Sequence, residues 1–405
     1  MEKPHMKRSP MLKSLGLVFA FALVAASCGD DGASVREVGS DSSSSGSSSG
    51  SGSGSASSSA PASASGSSSS SASSSAPSSD AEVTDDASSG DGGYDYASNV
   101  DNHRLLVLDM CDMNDLLGAE TIDFEAVADI YNNGSNAEKS DGSFRTLGGF
   151  ASAEGKKHAH DTYYGTPGSL NVFITSALEG TGMFAGESDA VRKQGIQKGM
   201  QNQALVAYAV HELNSALVKA EDGDFEGAVH NWDEGWAFYH GANGACGPYG
   251  TANKRGGNYG TLGADGETAT ANEAILGAMI AGRDALLRGN AGGAKSAAAL
   301  VKRAVVITYS QAVMRYASKV ASDLEAGDTA KARIHQAEGY AFWRVLEPEI
   351  GALGEEFQPT LDTLNSAYQL NNDPGTGASV NDIQNSLYPL WAILQIGSDD
   401  IGTLQ

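Results

Sequence analysis

The block EGWAFY at Glu234–Tyr239 returns as EGYAFW at Glu338–Trp343, 104 residues later. In helical geometry, His230 and Glu234 lie one turn apart on one face. Phe225, Val229, Trp232, Trp236 and Tyr239 then form a separate apolar stripe at three/four spacing. A surface helix that is apolar on one side is ordinarily polar on the other. These two are not. Ala237 and Phe238 sit beside Glu234, and Ile334, Ala341, Phe342 and Val345 surround Glu338. Both glutamates are therefore expected in the core. A buried carboxylate needs a cation or hydrogen-bond donors, or it must stay protonated. Any fold for this chain has to meet that demand twice.

The match extends backwards. Gly223-Asp224 pairs with Gly327-Asp328, and Ala228 with Ala332. A long helical pattern precedes each turn, at about Ser188–Ala220 and Ala291–Ala326, so each turn closes an antiparallel hairpin. Further helices are expected at Phe124–Asn133, from Pro167 to about Glu179, and at about Thr268–Arg288. The second-copy helix should stop near Leu346, closed by Pro348. Two more should follow, at about Thr360–Leu370 and Val380–Ile396. Few segments alternate with period two. The expected fold class is all-α: a duplicated antiparallel helical bundle, with repeats at about 188–241 and 292–346. A long Gly-rich loop, Gly241–Gly266, lies between the halves. Gly235 and Gly339 each cost helix stability, about 1 kcal/mol relative to Ala, and close helix approach is a reason to keep them.

Not all of the 405 residues can fold. Lys3, Lys7, Arg8 and Lys13 precede a short apolar run, Leu15–Ala26, then Ser27-Cys28-Gly29. The run is too short to be a comfortable membrane span. The pattern resembles a bacterial lipoprotein signal, with Ala25 where Leu is usual. Residues 1–27 then form the signal peptide, and Cys28 becomes the lipidated first residue; ordinary cleavage without lipid is the alternative. Residues 28–93 are rich in Ser and Gly and read as a disordered tether. The folded domain is expected over 94–405. A net charge of −24 excludes the basic footprint that nucleic-acid binding requires. In an oxidising envelope Cys111 and Cys246 could pair, a question that sequence leaves open.

The metal-capable groups cluster in the repeats. Glu234, His230, Asp233, Glu338 and His335 carry hard carboxylate and borderline imidazole donors, which suit a first-row metal cation. His335 and Glu338 stand three apart and can share a face. Each glutamate could instead pair with a base on the preceding helix, His211 for Glu234 and Arg315 for Glu338, the two being 104 apart. Tyr239, Tyr249 and Tyr259 are possible phenolate ligands. His158, His160 and Asp161 form a short polar cluster without partner spacing. No GxSxG, HExxH or phosphate-cradling glycine loop is present, so an enzyme is not expected.

The pieces VHNWDEGWAFYHG, ANKRGGNYGT, ITYSQAVMRYASK at Ile307–Lys319 and the EGYAF block resemble the low-iron-inducible periplasmic protein family. That family includes the Fe-assimilating proteins of algae and the related phytotransferrins of diatoms. The resemblance covers most of the chain after Tyr94. Algal members are rich in cysteine, whereas this domain has only Cys111 and Cys246. The resemblance implies extracytoplasmic capture of iron, with ferric binding assisted by carbonate. Lys254 and Arg255 in the family loop would hold that anion, since guanidinium reads planar oxyanions. The implied partners are iron, the membrane through the lipid anchor, and an envelope transport partner. The rivals are a di-iron oxidase using the two Glu/His pairs, and a structural envelope lipoprotein whose buried ion pairs serve packing.

Overall fold

The structure, a computed structural model, describes residues 87–153 and 159–405. The signal segment, Cys28, the tether as far as residue 86, and His158 lie outside the described residues. Packing begins before Tyr94. Ser88 and Asp91 are buried, Ser88 Oγ accepts from the Val100 amide, and Arg104 pairs with Asp91 at 2.6 Å.

The chain is all-α among the described residues. Only isolated bridges occur, Asp91–Tyr94, Glu138–Phe144 and Leu262–Ala269. The order is α1 (Asp101–Arg104), α2 (Leu106–Gly118), α3 (Phe124–Asn133), α4 (Leu147–Ala151), α5 (Ala159–Tyr164), α6 (Ser169–Glu179) and α7 (Asp189–Lys198). A π-helical segment, Gly199–Ala204, joins α7 to α8 (Leu205–Glu221). There follow α9 (Phe225–Tyr239), α10 (Pro248–Tyr259), α11 (Thr270–Leu287), α12 (Ala291–Glu325) and α13 (Thr329–Gly351). The last are α14 (Gln358–Tyr368), α15 (Val380–Ile393) and α16 (Ser398–Ile401).

The frame is two helical hairpins. In the first, α8 turns into α9 through Gly223, whose φ of 85° places it in the left-handed region that glycine tolerates. Asp224 then caps α9 by accepting from the Gly227 amide. In the second, α12 turns into α13 through Gly327 at φ 76°, and Asp328 caps from the Lys331 amide. Both helix ends recur at the sequence spacing, since 325 − 221 and 329 − 225 are each 104. Close approach accounts for the motif glycines. A Cβ on Gly235 would come 3.2 Å from the Ala209 carbonyl on α8, and one on Gly339 would strike the Tyr368 ring. Trp232 ties α9 to α11 by donating to the Met279 carbonyl at 2.8 Å. Cys111 of α2 and Cys246, just before α10, are joined in a disulfide with Cα atoms 5.3 Å apart.

Two expectations are corrected. The stretch Gly241–Gly266 is not one loop, because α10 occupies its middle. Pro248 starts that helix at a position needing no N–H, and Gly260 closes it at φ 69°. Its buried face is made of Thr251, Ala252, Arg255, Gly256 and Tyr259. An apolar count misses such a face.

The second correction concerns Pro348, which does not end α13; the helix runs on to Gly351. Proline removes the N–H that would bond the Arg344 carbonyl. His160 of α5, fully buried, approaches that carbonyl through Nε2 at 3.0 Å. A carbonyl only accepts, so the imidazole N–H supplies the missing donor. His160 is thus a structural histidine. Asp161 beside it caps α6 by accepting from the Gly168 and Ser169 amides. We expect His160→Leu to lower stability by about 1–3 kcal/mol, the cost of an unsatisfied buried acceptor. Adding Pro348→Ala restores an N–H to the same carbonyl. Chemical denaturation of the four chains in that cycle measures the coupling; a Pro348→Ala effect equal in both backgrounds would refute it.

Candidate metal centre

Glu234 is 8% exposed, on the face of α9 turned toward α8 and α1. Three elements bring polar groups to it. His230, one turn earlier on α9, places Nε2 3.3 Å from Glu234 Oε1. His103 of α1 places its own Nε2 3.2 Å from the same oxygen. Asn231 donates to Glu234 Oε2 at 3.0 Å and to Glu212 Oε2 of α8 at 2.5 Å, bridging two buried carboxylates. His211 Nε2 stands 4.0 Å from Glu212 Oε1. Phe150 and Phe238 wall His103 on the apolar side, with ring centroids 5.9 and 5.5 Å away. The His230 side chain is 43% exposed and forms the open edge.

The electrostatics follow from these contacts. Burial alone would raise the Glu234 carboxyl, but hydrogen bonding from His230 and the His103 and His230 charges outweigh it and bring it down to about 2. Hydrogen bonding to Glu234 raises His230 above its ordinary value, against the opposing effect of burial. The centre thus holds its carboxylate ionised by means of imidazoles, groups that can give up their protons.

Carboxylate oxygen and imidazole nitrogen are donor types that first-row cations take. Ligands about 2.1 Å from a first-row ion stand roughly 3.0–3.4 Å from one another, the spacing of the two imidazole nitrogens from Glu234 Oε1. The contacts in the structure are imidazole–carboxylate hydrogen-bond contacts. As they stand, the described residues include no group of three or more His, Cys, Asp or Glu that could hold a metal ion.

The other expected site residues go elsewhere. Asp233 follows the helix about 100° round from Glu234 and faces away from the centre. Its carboxylate takes Tyr94 Oη at 2.6 Å, the Ala97 and Ser98 amides at 2.9 and 2.8 Å, and Ser98 Oγ at 2.8 Å. Glu338 is 1% exposed and meets Lys198 Nζ of α7 at 3.0 Å and Tyr316 Oη at 2.6 Å. Lys198 is thus a counter-charge for Glu338 that the sequence reading did not name; Arg315 is half-buried, and its charge bears on Tyr259. His335 does not join Glu338 but contacts Asp323 through Nδ1 at 2.5 Å. Arg255 is buried with its guanidinium over the Tyr316 ring, 5.6 Å from the centroid, while Lys254 is exposed. Tyr239 donates to Asn272 at 2.6 Å, and burial pushes its phenol and that of Tyr259 up, which keeps both protonated.

Sequence reasoning missed His103 and Glu212. Glu212 carried a signal: 104 residues on stands Tyr316, which bonds Glu338. His103 carried none, being a lone histidine in the lead-in. The same spacing relates His230 to Ile334. The second hairpin keeps the carboxylate but has neither the second acid nor the imidazole.

The Lys198–Glu338 pair is fully enclosed, so breaking it leaves a buried charge. Lys198→Met and Glu338→Gln should each cost about 3–5 kcal/mol of folding stability. The double variant Lys198→Met/Glu338→Leu should cost much less than their sum, by urea unfolding. Additive losses would show that the two groups do not compensate one another.

Among the described residues no helix is long and apolar enough to cross a membrane. The chain matches no curated protein and no solved structure. A family model described as low iron-inducible periplasmic protein matches residues 70–335. The matched range takes in His103, Glu212, His230 and Glu234, and it ends before Glu338. It spans more than half of the chain, which therefore belongs to the low iron-inducible periplasmic protein family.

Proposed function

We propose that this protein binds iron outside the cytoplasm for uptake, holding a ferric ion between Glu234, His230, His103 and Glu212. One observation carries the reading: two imidazole nitrogens from separate elements converge on one oxygen of a buried glutamate. The equivalent glutamate, 104 residues on, already has a cation beside it in Lys198. The family's description as low iron-inducible supports iron as the metal. Two carboxylates and two imidazoles match the oxygen preference of ferric iron, and the like charge of the two acids favours an entering cation.

The dinuclear oxidase reading needs both Glu/His pairs in one cavity. Glu338 and His335 are instead turned to Lys198 and Asp323. Of the two residues that would hold a carbonate ligand, Arg255 is buried and Lys254 is exposed. In titrations with ferric nitrilotriacetate, Glu234→Gln should lower affinity at least about a hundredfold, with the fold preserved. Running the titration with and without bicarbonate tests for an anion in the coordination shell. Unchanged affinity in Glu234→Gln would place the iron elsewhere.

The reading extends to the N-terminus. Basic residues, a short apolar run and small residues before Cys28 motivate a lipid anchor that keeps the domain at the cell envelope. Cys28→Ser should move the protein from the membrane fraction to the soluble fraction. A wild-type chain that is already soluble would rule the anchor out.

A further inference from the structure

Asp233 is next to Glu234 in sequence yet takes no part in the candidate centre. Its position still controls the centre through Ser98. The Asp233 carboxylate oxygen Oδ2 accepts from the Ala97 and Ser98 amides at 2.9 and 2.8 Å. Ser98 Oγ lies 2.8 Å from the same oxygen. An oxygen already taking two N–H donors acts as an acceptor, so the Ser98 hydroxyl gives its hydrogen to Asp233. Ser98 Oγ also lies 3.2 Å from His230 Nδ1. With its own hydrogen committed, Oγ can only accept there, so Nδ1 must carry a proton. The remaining nitrogen, Nε2, is the one aimed at Glu234 Oε1, 3.3 Å away. Nε2 therefore donates to Glu234 in the metal-free protein and is the nitrogen that would give up its proton to ligate, while Nδ1 keeps its own on Ser98.

We infer that Asp233 and Ser98 are positioning residues that fix the tautomer and ring orientation of His230 for metal ligation. The inference rests on the iron site proposed above and deepens it. Outer hydrogen bonds of this kind orient ligating histidines and raise their basicity. The chain of contacts also explains why a carboxylate adjacent to the site is spent on residues 94–98. The same carboxylate bonds Tyr94 Oη at 2.6 Å and so fixes the segment that leads into α1, the helix bearing His103. One residue on α9 thus sets both imidazoles, His230 through the Ser98 hydroxyl and His103 through the backbone.

The test separates the hydroxyl from the backbone. Ser98→Ala removes the acceptor for His230 and leaves the Ser98 amide on Asp233. Ser98→Thr keeps a hydroxyl at the same place. In titrations of the full chain with ferric nitrilotriacetate, Ser98→Ala should weaken binding about 10–100-fold, with an unchanged melting temperature of the metal-free protein. Ser98→Thr should restore most of the affinity, which a purely structural role for the serine would not require. Glu234→Gln run in parallel tells the two readings apart. If Glu234→Gln loses iron and Ser98→Ala does not, the relay is wrong and the site stands. If Ser98→Thr binds as weakly as Ser98→Ala, the hydroxyl is not the orienting group. If Glu234→Gln binds normally, the site falls and the relay with it. Should Ser98→Ala melt early, the ratio of Ser98→Thr to wild-type affinity still decides, because a hydroxyl that orients His230 keeps that ratio near one.

Discussion

A carboxylate inside a helical core has to be matched by positive charge, and this fold meets the requirement in two ways. Glu338 is matched by a lysine whose ammonium is fully enclosed. Glu234 is matched by imidazoles, one of them at the solvent edge. The difference is chemical. An ammonium held between Glu338, Gln194 and Gln197 keeps its proton and its place. An imidazole at an open edge can lose its proton and turn from hydrogen-bond donor to metal ligand. The same helix position thus meets a fixed ammonium in one hairpin and titratable imidazoles in the other.

The centre depends on segments far apart in the chain. Gly235 allows α9 to lie against α8 closely enough for Asn231 to reach both Glu212 and Glu234. The Cys111–Cys246 disulfide fixes α2 to the segment between α9 and α10, and the Ala242 amide donates to the Arg104 carbonyl. Together they hold α1 against the end of α9, and His103 with it. A cross-link over 135 residues restricts the unfolded chain by about 5 kcal/mol on the loop-entropy model. It closes the part of the molecule that carries the imidazole least anchored by its own helix, since α1 is a single turn.

The hairpins were legible in the sequence because three signals agreed: a 3.6-residue period, a Gly-Asp turn, and the repeat of both 104 residues on. The burial of Glu234 and Glu338 was legible because their helix faces carry apolar residues on both sides. What sequence could not show was partnership across the bundle. Periodicity says which face is buried but not which helix covers it, so Lys198 of α7 went unnamed as a partner of Glu338. Asp233 read as a ligand because neighbours in sequence look like neighbours in space, although adjacent helical residues diverge by about 100°. The helix at Pro248–Tyr259 was hidden because its buried face is built from glycine, alanine, threonine and arginine. Pro348 misled because the donor that excuses it, His160, comes from a helix nearly two hundred residues earlier.

The contrast between the hairpins also bears on how ion binding and folding are connected. In the second hairpin the cation is part of the chain, and its attraction for Glu338 is present whenever the protein is folded. In the first, on the proposed reading, the cation comes from solution. A ligand that binds only the folded form adds to stability in proportion to the logarithm of its concentration over its dissociation constant. The Glu212–Asn231–Glu234 cluster would then be the part of the core completed by its cargo, whereas Lys198 completes its counterpart permanently. On that reading, release of the ion costs only the local attraction and leaves the α12–α13 hairpin intact. Replacing His230 and Glu212 by the Ile334 and Tyr316 of the second hairpin would remove that property, which is a physical reason for two such similar hairpins to carry such different side chains.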